Sequence, residues 1–415
     1  MRKYIDNALK ILSKIFDDGS YSNRALSTDK TSDMTTKLVY GVLERNVEIE
    51  WVLSSLVKKQ PKGRVYTLLK IGTYALLNLD NVPHFAIVSE CVEVAKSNGL
   101  IGQSGFVNAV LKKVSRKEFS FPSDKKQSLS VKYSLPIWFI DRLFKEYSTE
   151  DVEALLDKKF GTKESIRINS KHSKDEVIDR LKKEKIELVD GEYGTIMADA
   201  DSKAVKDMFN SGWITFQAVS SIKAVKALGV QGVSKVLDLC SAPGGKAVLI
   251  GELSPESTIV ACDLHKHRVD LIDKYAKRMG VENITTAIND ATRFRTEWAD
   301  KFDYVLVDAP CSCFGTYKKH PDVFLNRDYN QCVELSKLQK KILENAIKYT
   351  KKGGVIVYST CTLFDVENIE VVNSVLDKAE LVNFDAEGLP NDKSFIRLLP
   401  DEGSDGFFIA KLRKL

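Results

Sequence analysis

Two cysteines stand just beyond apolar runs that read as buried strands. Cys311 lies in Asp308-Ala-Pro-Cys-Ser312, after Asp303–Asp308, and Cys361 lies in Ser359-Thr-Cys-Thr362, after Gly354–Ser359. In a parallel sheet both thiols reach the carboxyl edge, where such sheets hold their ligands. Paired thiols suit a reaction on a pyrimidine carbon. Carbon 5 of cytosine is a poor nucleophile until a thiolate adds at carbon 6, which makes carbon 5 enamine-like and able to accept a methyl group. A neutral thiol is weak, so it needs a positive field or a proton acceptor. Lys246 and a cationic methyl donor would supply the field, and Asp308 would hold the base at N3 and N4 and protonate N3. The carbon 5 proton must then leave and the first thiol be expelled, a second task for a second residue.

The donor site is predicted at Val236-Leu-Asp-Leu-Cys-Ser-Ala-Pro-Gly-Gly-Lys246, a strand, a glycine turn and a helix start. It is not a P-loop, because Lys246 is followed by Ala247 and Cys240 stands where the earlier glycine belongs. The dinucleotide pattern of three glycines is absent too. A nucleoside site without a phosphate cradle remains, and S-adenosylmethionine (SAM) is the candidate ligand. Asp263, 25 residues beyond Asp238, ends a second strand where a carboxylate meets ribose hydroxyls. Asp290 ends a third, where the adenine amino group would be read. His265 and His267 read as exposed helix residues and no metal is expected.

These residues belong to an alternation of strands and helices from residue 213 to the end, which predicts a parallel sheet covered on both faces. An antiparallel hairpin, Ser394–Leu399 with Gly406–Leu412, closes it. Residues 1–118 instead repeat a helical spacing, beginning with Ile5, Ala8, Leu9, Leu12, Ile15 and Phe16. Residues 119–130 read as a linker. Between them and residue 212, helices over 136–147, 149–159 and 174–185 and short strands predict a small α+β module, with Arg167 and Asn169 as candidate substrate contacts. Residues 1–130 carry 20 Lys and Arg against 13 Asp and Glu, whereas the whole chain carries 62 against 57. The positive charge is therefore concentrated in the helical part, as for a nucleic-acid footprint. Seven scattered cysteines are not a disulfide framework, the amphipathic start is not a signal peptide, and no apolar run is long enough for a membrane. A reducing, cytoplasmic setting is expected.

Tyr40-Gly-Val-Leu-Glu-Arg45 and Gly105-Phe-Val-Asn-Ala-Val-Leu-Lys-Lys-Val114 resemble the NusB-like all-helical RNA-binding domain. Asp238-Leu-Cys-Ser-Ala-Pro-Gly-Gly-Lys246, Asp308-Ala-Pro-Cys-Ser312, Lys319-His-Pro-Asp322 and Tyr358-Ser-Thr-Cys361 resemble the NOL/NOP/Sun family of RNA (cytosine-5) methyltransferases. The resemblance implies a multidomain fold: an all-α NusB-like bundle (1–130), a small α+β module (131–212) and a C-terminal α/β Rossmann-like SAM-dependent methyltransferase domain (213–415). It implies Cys361 as nucleophile and Cys311 as the residue assisting release, with Asp308 and Lys246 beside them. SAM contacts would fall to Cys240, Ser241, Ala242, Pro243, Gly244, Gly245, Lys246, Asp263, Asp290 and Asp308. Phosphate contacts would fall to Lys112, Lys113, Arg116 and Lys117, with Arg167 in the module. The implied substrate is 16S rRNA or a small-subunit precursor, with no obligatory protein partner. A tRNA cytosine-5 methyltransferase and a non-catalytic NusB-like RNA-binding factor are the alternatives. One residue departs from the pattern: Cys313 stands where the family has a small residue, and with Cys311 it makes a Cys-x-Cys pair that could bind metal or oxidise, packing being the favoured role.

Overall fold

The apolar spacing of the first residues builds helix Arg2–Asp18, whose Ile5, Ala8, Leu9, Leu12 and Ile15 are all buried. The protein is represented by a computed structural model that describes residues 1–18, 22–27, 32–158, 163–384, 394–401 and 403–415. Packing divides the chain into two units, Met1–Leu156 with Tyr317–Tyr329, and Asp157–Thr316 with Asn330–Leu415.

In the first unit, helices Asp33–Glu44, Asn46–Leu56, His84–Ser97 and Ser104–Ser115 surround Arg64–Asn78. That central helix buries every residue from Thr67 to Leu76, as its all-round apolar character requires. The linker expected over 119–130 is partly helical. Asp124 caps a helix over Lys125–Tyr133 by accepting from the Gln127 N–H at 2.9 Å. Its polar surface conceals only two buried residues, Ser130 and Val131, so hydrophobic spacing could not reveal it. Helix Ile137–Glu146, grouped by sequence with the small module, also falls in this unit. So does the Lys319-His-Pro-Asp322 motif: Tyr317 and Phe324 pack on the Phe139 ring at 5.4 and 4.9 Å, and Asp322 accepts from the Ser22 N–H at 3.0 Å.

The second unit holds two sheets. In the smaller, β1 (Glu164–Ile168), β2 (Val189–Asp190), β3 (Ile196–Ala198) and β4 (Ile214–Phe216) run antiparallel in the order β2-β3-β1-β4. β4 lies past residue 212, where the module was expected to end. The larger sheet comprises β5 (Lys235–Asp238), β6 (Thr258–Asp263), β7 (Ile284–Ile288), β8 (Phe302–Asp308), β9 (Thr350–Thr360), β10 (Ala379–Leu381), β11 (Phe395–Leu398) and β12 (Phe407–Lys414). Its order is β10-β12-β9-β8-β5-β6-β7, with β11 paired to β12. β5 to β9 are parallel, and β12 is antiparallel to its neighbours. The order departs in opposite directions from β5 and β8, so the crevice of an open α/β sheet lies at their carboxyl ends. Asp238 and Asp308 end those two strands. No described helix is long and apolar enough to cross a membrane.

Candidate active site

β5 turns at Asp238 into the loop Cys240–Gly244, then helix Gly245–Leu253. The turn is fixed by the Ser241 N–H to Cys262 carbonyl bond at 2.7 Å and the Gly244 N–H to Ser241 carbonyl bond at 2.7 Å. Gly244 has φ +109°, and a Cβ there would sit 3.1 Å from Ile272 Cα, so this position requires glycine. The loop borders the proposed cofactor site with several polar groups unspent. Ser241 Oγ, Asp263 Oδ1 and both oxygens of Asp238 are buried without a hydrogen bond of normal geometry. Asp263 lies 3.5 Å from Arg268 Nη1. Asp290 accepts from the Thr292 hydroxyl and N–H at 2.6 and 3.0 Å, which lowers its carboxyl. Burial pushes Asp238 up to about 7, opposed by Ser241 and reinforced by the Asp308 charge. Such buried, underused carboxylates suit a ligand bearing hydroxyls and positive charge.

Asp308 joins this rim to the thiols. Its Oδ2 pairs with Lys246 Nζ at 2.7 Å, and its Oδ1 accepts from the Ser359 hydroxyl at 2.9 Å. Burial alone would lower the Lys246 ammonium, but Asp308 holds it above the ordinary lysine value. Beyond them, Cys311 Sγ and Cys361 Sγ are 3.3 Å apart. The sequence placed these thiols at one edge, and the fold brings them into contact. Hydrogen bonds from Cys313 and Cys361, then burial, push the Cys311 thiol well up. At Cys361 the Cys311 hydrogen bond acts downward, yet Cys313, burial and Asp308 together still raise it. Both thiols are therefore held in the neutral form, and the hydrogen bond between them acts upward at Cys311 and downward at Cys361.

The two cysteine loops are laced together. Ala309 N–H donates to the Ser359 carbonyl and Gly315 N–H to the Cys361 carbonyl, each at 2.9 Å. Beneath them lies Glu367, fully buried, which sequence reading left without a role. Its Oε1 accepts from Ser312 N–H at 2.9 Å and Gln339 Nε2 at 3.0 Å, and its Oε2 from the Ser312 hydroxyl at 2.6 Å. Only its position six residues past Cys361 could have drawn attention to it.

Arg167, expected at a substrate-facing position, is instead buried: its Nε donates to Gln217 at 2.6 Å and its guanidinium pairs with Glu252, so it braces the second unit from within. Asn169 is equally internal, donating to the Gly212 and Met279 carbonyls at 2.8 and 3.0 Å. Lys112, Lys113, Arg116 and Lys117, by contrast, are all exposed at the end of helix Ser104–Ser115.

With this geometry in place, a family model described as 16S rRNA methyltransferase RsmB/F matches residues 225–413, and the NusB family model matches residues 5–116. The chain is 32% identical to the Bacillus subtilis protein named "Probable ribosomal RNA small subunit methyltransferase B", covering 99% of this chain and 98% of that one. It is 30% identical to ribosomal RNA small subunit methyltransferase B of Photorhabdus laumondii, covering 98% and 97%. The crystal structure of PH0851 superposes with a TM-score of 0.84 at 25% identity, over 99% of this chain and 98% of that one.

Proposed function

Because the chain belongs to the ribosomal RNA small subunit methyltransferase B family, we propose that it methylates carbon 5 of a cytosine in 16S rRNA through a covalent bond between Cys361 and carbon 6. The observation that carries this reading is the contact of Cys311 and Cys361 beside the Asp308–Lys246 pair, at the crevice between β5 and β8. When bound, SAM supplies the methyl group and a cationic sulfonium. Cys240–Lys246, Asp263, Asp290 and Asp308 would hold it, and the buried Asp238 carboxyl would complement its amino group.

Cys361 adds to carbon 6 while Asp308 anchors the N4 amino group and directs a proton to N3. Lys246 keeps Asp308 in place and contributes positive charge near Cys361. Cys311, adjacent to Cys361, serves elimination. In that step the carbon 5 proton passes to a base at this edge of the sheet, its electron pair restores the carbon 5–carbon 6 double bond, and Cys361 departs as thiolate with the electrons of the Cys361–carbon 6 bond. The target base must leave its stack to reach this edge of the sheet. The direct test is to incubate the enzyme with labelled SAM and unmodified 16S rRNA, digest the RNA, and separate its nucleosides. Label should appear as 5-methylcytidine, whereas label on another nucleoside or atom refutes the carbon 5 assignment.

Asp238 gives this binding a pH signature. A carboxyl raised from 3.8 to about 7 is largely protonated near pH 6 and ionised near pH 8. A cationic amine favours the ionised form, so SAM affinity should rise with pH across this window, and binding near pH 6 should release a proton. The same lift makes Asp238 destabilise the fold increasingly as pH climbs from about 4 to about 7, because the unfolded chain gives up its proton earlier. Calorimetry in two buffers should show both the proton release and its loss in Asp238→Asn, whose affinity should fall about tenfold near pH 8. An unchanged pH profile in that variant would remove Asp238 from the site.

The RNA footprint has its own readout. If Lys112, Lys113, Arg116 and Lys117 each neutralise a phosphate, replacing all four by alanine should flatten the log–log salt dependence of RNA affinity by about 3. An unaltered slope would place the phosphates elsewhere.

A further inference from the structure

Cys313 has no part in the reaction described above, and its conformation is costly. It holds φ +62°, the left-handed region that residues with a side chain seldom occupy. The turn is secured from the other side by Thr316, whose N–H and hydroxyl donate to the Cys313 carbonyl at 3.0 and 2.9 Å. Its thiol lies 3.4 Å from the Cys311 carbonyl oxygen. The result is a triad in which the sulfurs of Cys311, Cys313 and Cys361 all lie within 4.8 Å of one another.

We propose that this thiol triad is a binding site for a thiophilic cation such as zinc, and that an ion held there reversibly blocks methyl transfer. A zinc ion with bonds of about 2.3 Å to three tetrahedrally disposed sulfurs spaces them about 3.8 Å apart. The 3.3 Å of Cys311–Cys361 and the 4.8 Å limit of the triad bracket that spacing. All three members thus reach one ion with small movements, whereas a disulfide would use two and leave the third unexplained. Cys313 and Cys361 are partly exposed, so an ion has an approach to the triad. Three protein ligands leave a coordination position for water, as in exchangeable sites and unlike closed structural ones. On binding, each coordinating thiol gives its proton to solvent, so occupancy rises with pH. The block follows from the roles proposed for Cys361 and Cys311: sulfur lone pairs committed to the ion cannot add to carbon 6 or assist release. The block therefore rests on the proposed function, but the binding does not.

The test uses the full chain, kept reduced. Cobalt(II) serves as a spectroscopic probe of thiolate ligation, zinc then displaces it, and Cys313→Gly, compatible with the positive φ, is compared with the unaltered protein. The unaltered protein should develop a thiolate-to-cobalt band at one equivalent. It should bind zinc more than about 10-fold more tightly than Cys313→Gly, a loss that even outer partners of metal ligands can produce. Cys313→Ser, which preserves side-chain size, should lose affinity similarly. Zinc should stop methyl transfer by the unaltered protein until a chelator is added, and Cys313→Gly, measured against its own zinc-free rate, should require correspondingly more zinc to stop. Absence of the band, or equal zinc affinity in all three proteins, overturns the site. Inhibition reversed by a dithiol but not by a non-thiol chelator overturns it in favour of oxidation. Because the band is read without RNA or SAM, an inactive enzyme that still shows it would refute the proposed function and leave the metal site standing.

Discussion

Cys361→Ala should abolish methyl transfer, lowering its rate by at least about 10⁴, the scale on which covalent catalysts lose activity with their nucleophile. Cys311→Ala should fail differently, by accumulating enzyme joined to RNA. The contrast comes from two thiols in contact with unlike surroundings. Cys361 is half-buried and Cys311 buried, and the hydrogen bond between them acts downward at Cys361 and upward at Cys311, although both thiols are raised on balance. With addition from Cys361, as proposed, removal of Cys311 leaves the adduct without its partner for elimination. On a denaturing gel with SAM and 16S rRNA, Cys311→Ala should show a slowly migrating protein–RNA band and Cys361→Ala none. The reverse pattern would make Cys311 the nucleophile. Since Cys361 is raised above the ordinary thiol value, adduct formation should accelerate as pH rises, by up to about tenfold per unit where its ionisation limits the rate. The Lys246 ammonium and a cationic sulfonium act to bring that window toward neutrality.

This part of the site was legible because its residues punctuate the strands they follow. An apolar run ending in an acid marks a strand end, and Asp238, Asp263 and Asp308 terminate β5, β6 and β8. Parallel pairing then carries Cys311 and Cys361 to one edge without knowledge of any single contact. What escaped was decided by partners distant in sequence. Arg167 alternates with Ile166 and Ile168 as an exposed strand residue would, but β1 is an inner strand and its arginine meets Glu252, 85 residues away. Helix Lys125–Tyr133 is too polar for its spacing to show. The Lys319-His-Pro-Asp322 motif read as part of the catalytic stretch, yet its segment is held by aromatic rings of the first unit, which no local pattern could announce.

Glu367 is the most consequential residue that sequence reading passed over, and its removal should cost both stability and turnover. Its carboxylate gathers the Ser312 N–H and hydroxyl, immediately after Cys311, the Gln339 amide and the Cys332 thiol, while its own carbonyl accepts from the Tyr358 hydroxyl at 2.6 Å. Tyr358 lies in β9, three residues before Cys361. One buried residue thus ties the loop of Cys311, through its carboxylate, to the strand that carries Cys361, through its main-chain carbonyl. Burial raises the Glu367 carboxyl against those donors, so the group is retained despite a desolvation penalty. Glu367→Ala strands the Ser312 N–H in a dry site, at about 1–3 kcal/mol. It leaves the Ser312 hydroxyl only the Thr362 hydroxyl at 2.7 Å, in place of a bond to a charged group worth about 1.5–3 kcal/mol. A loss of about 2–5 kcal/mol in denaturant unfolding is expected, with methyl transfer reduced even where the variant remains folded. Glu367→Gln keeps the shape and one acceptor oxygen, and should recover much of the stability. If it also recovered full turnover, shape and a single acceptor would suffice to align the thiols. If turnover stayed low in a stably folded Glu367→Gln, both carboxylate oxygens would be needed, because Ser312 uses one through its N–H and the other through its hydroxyl.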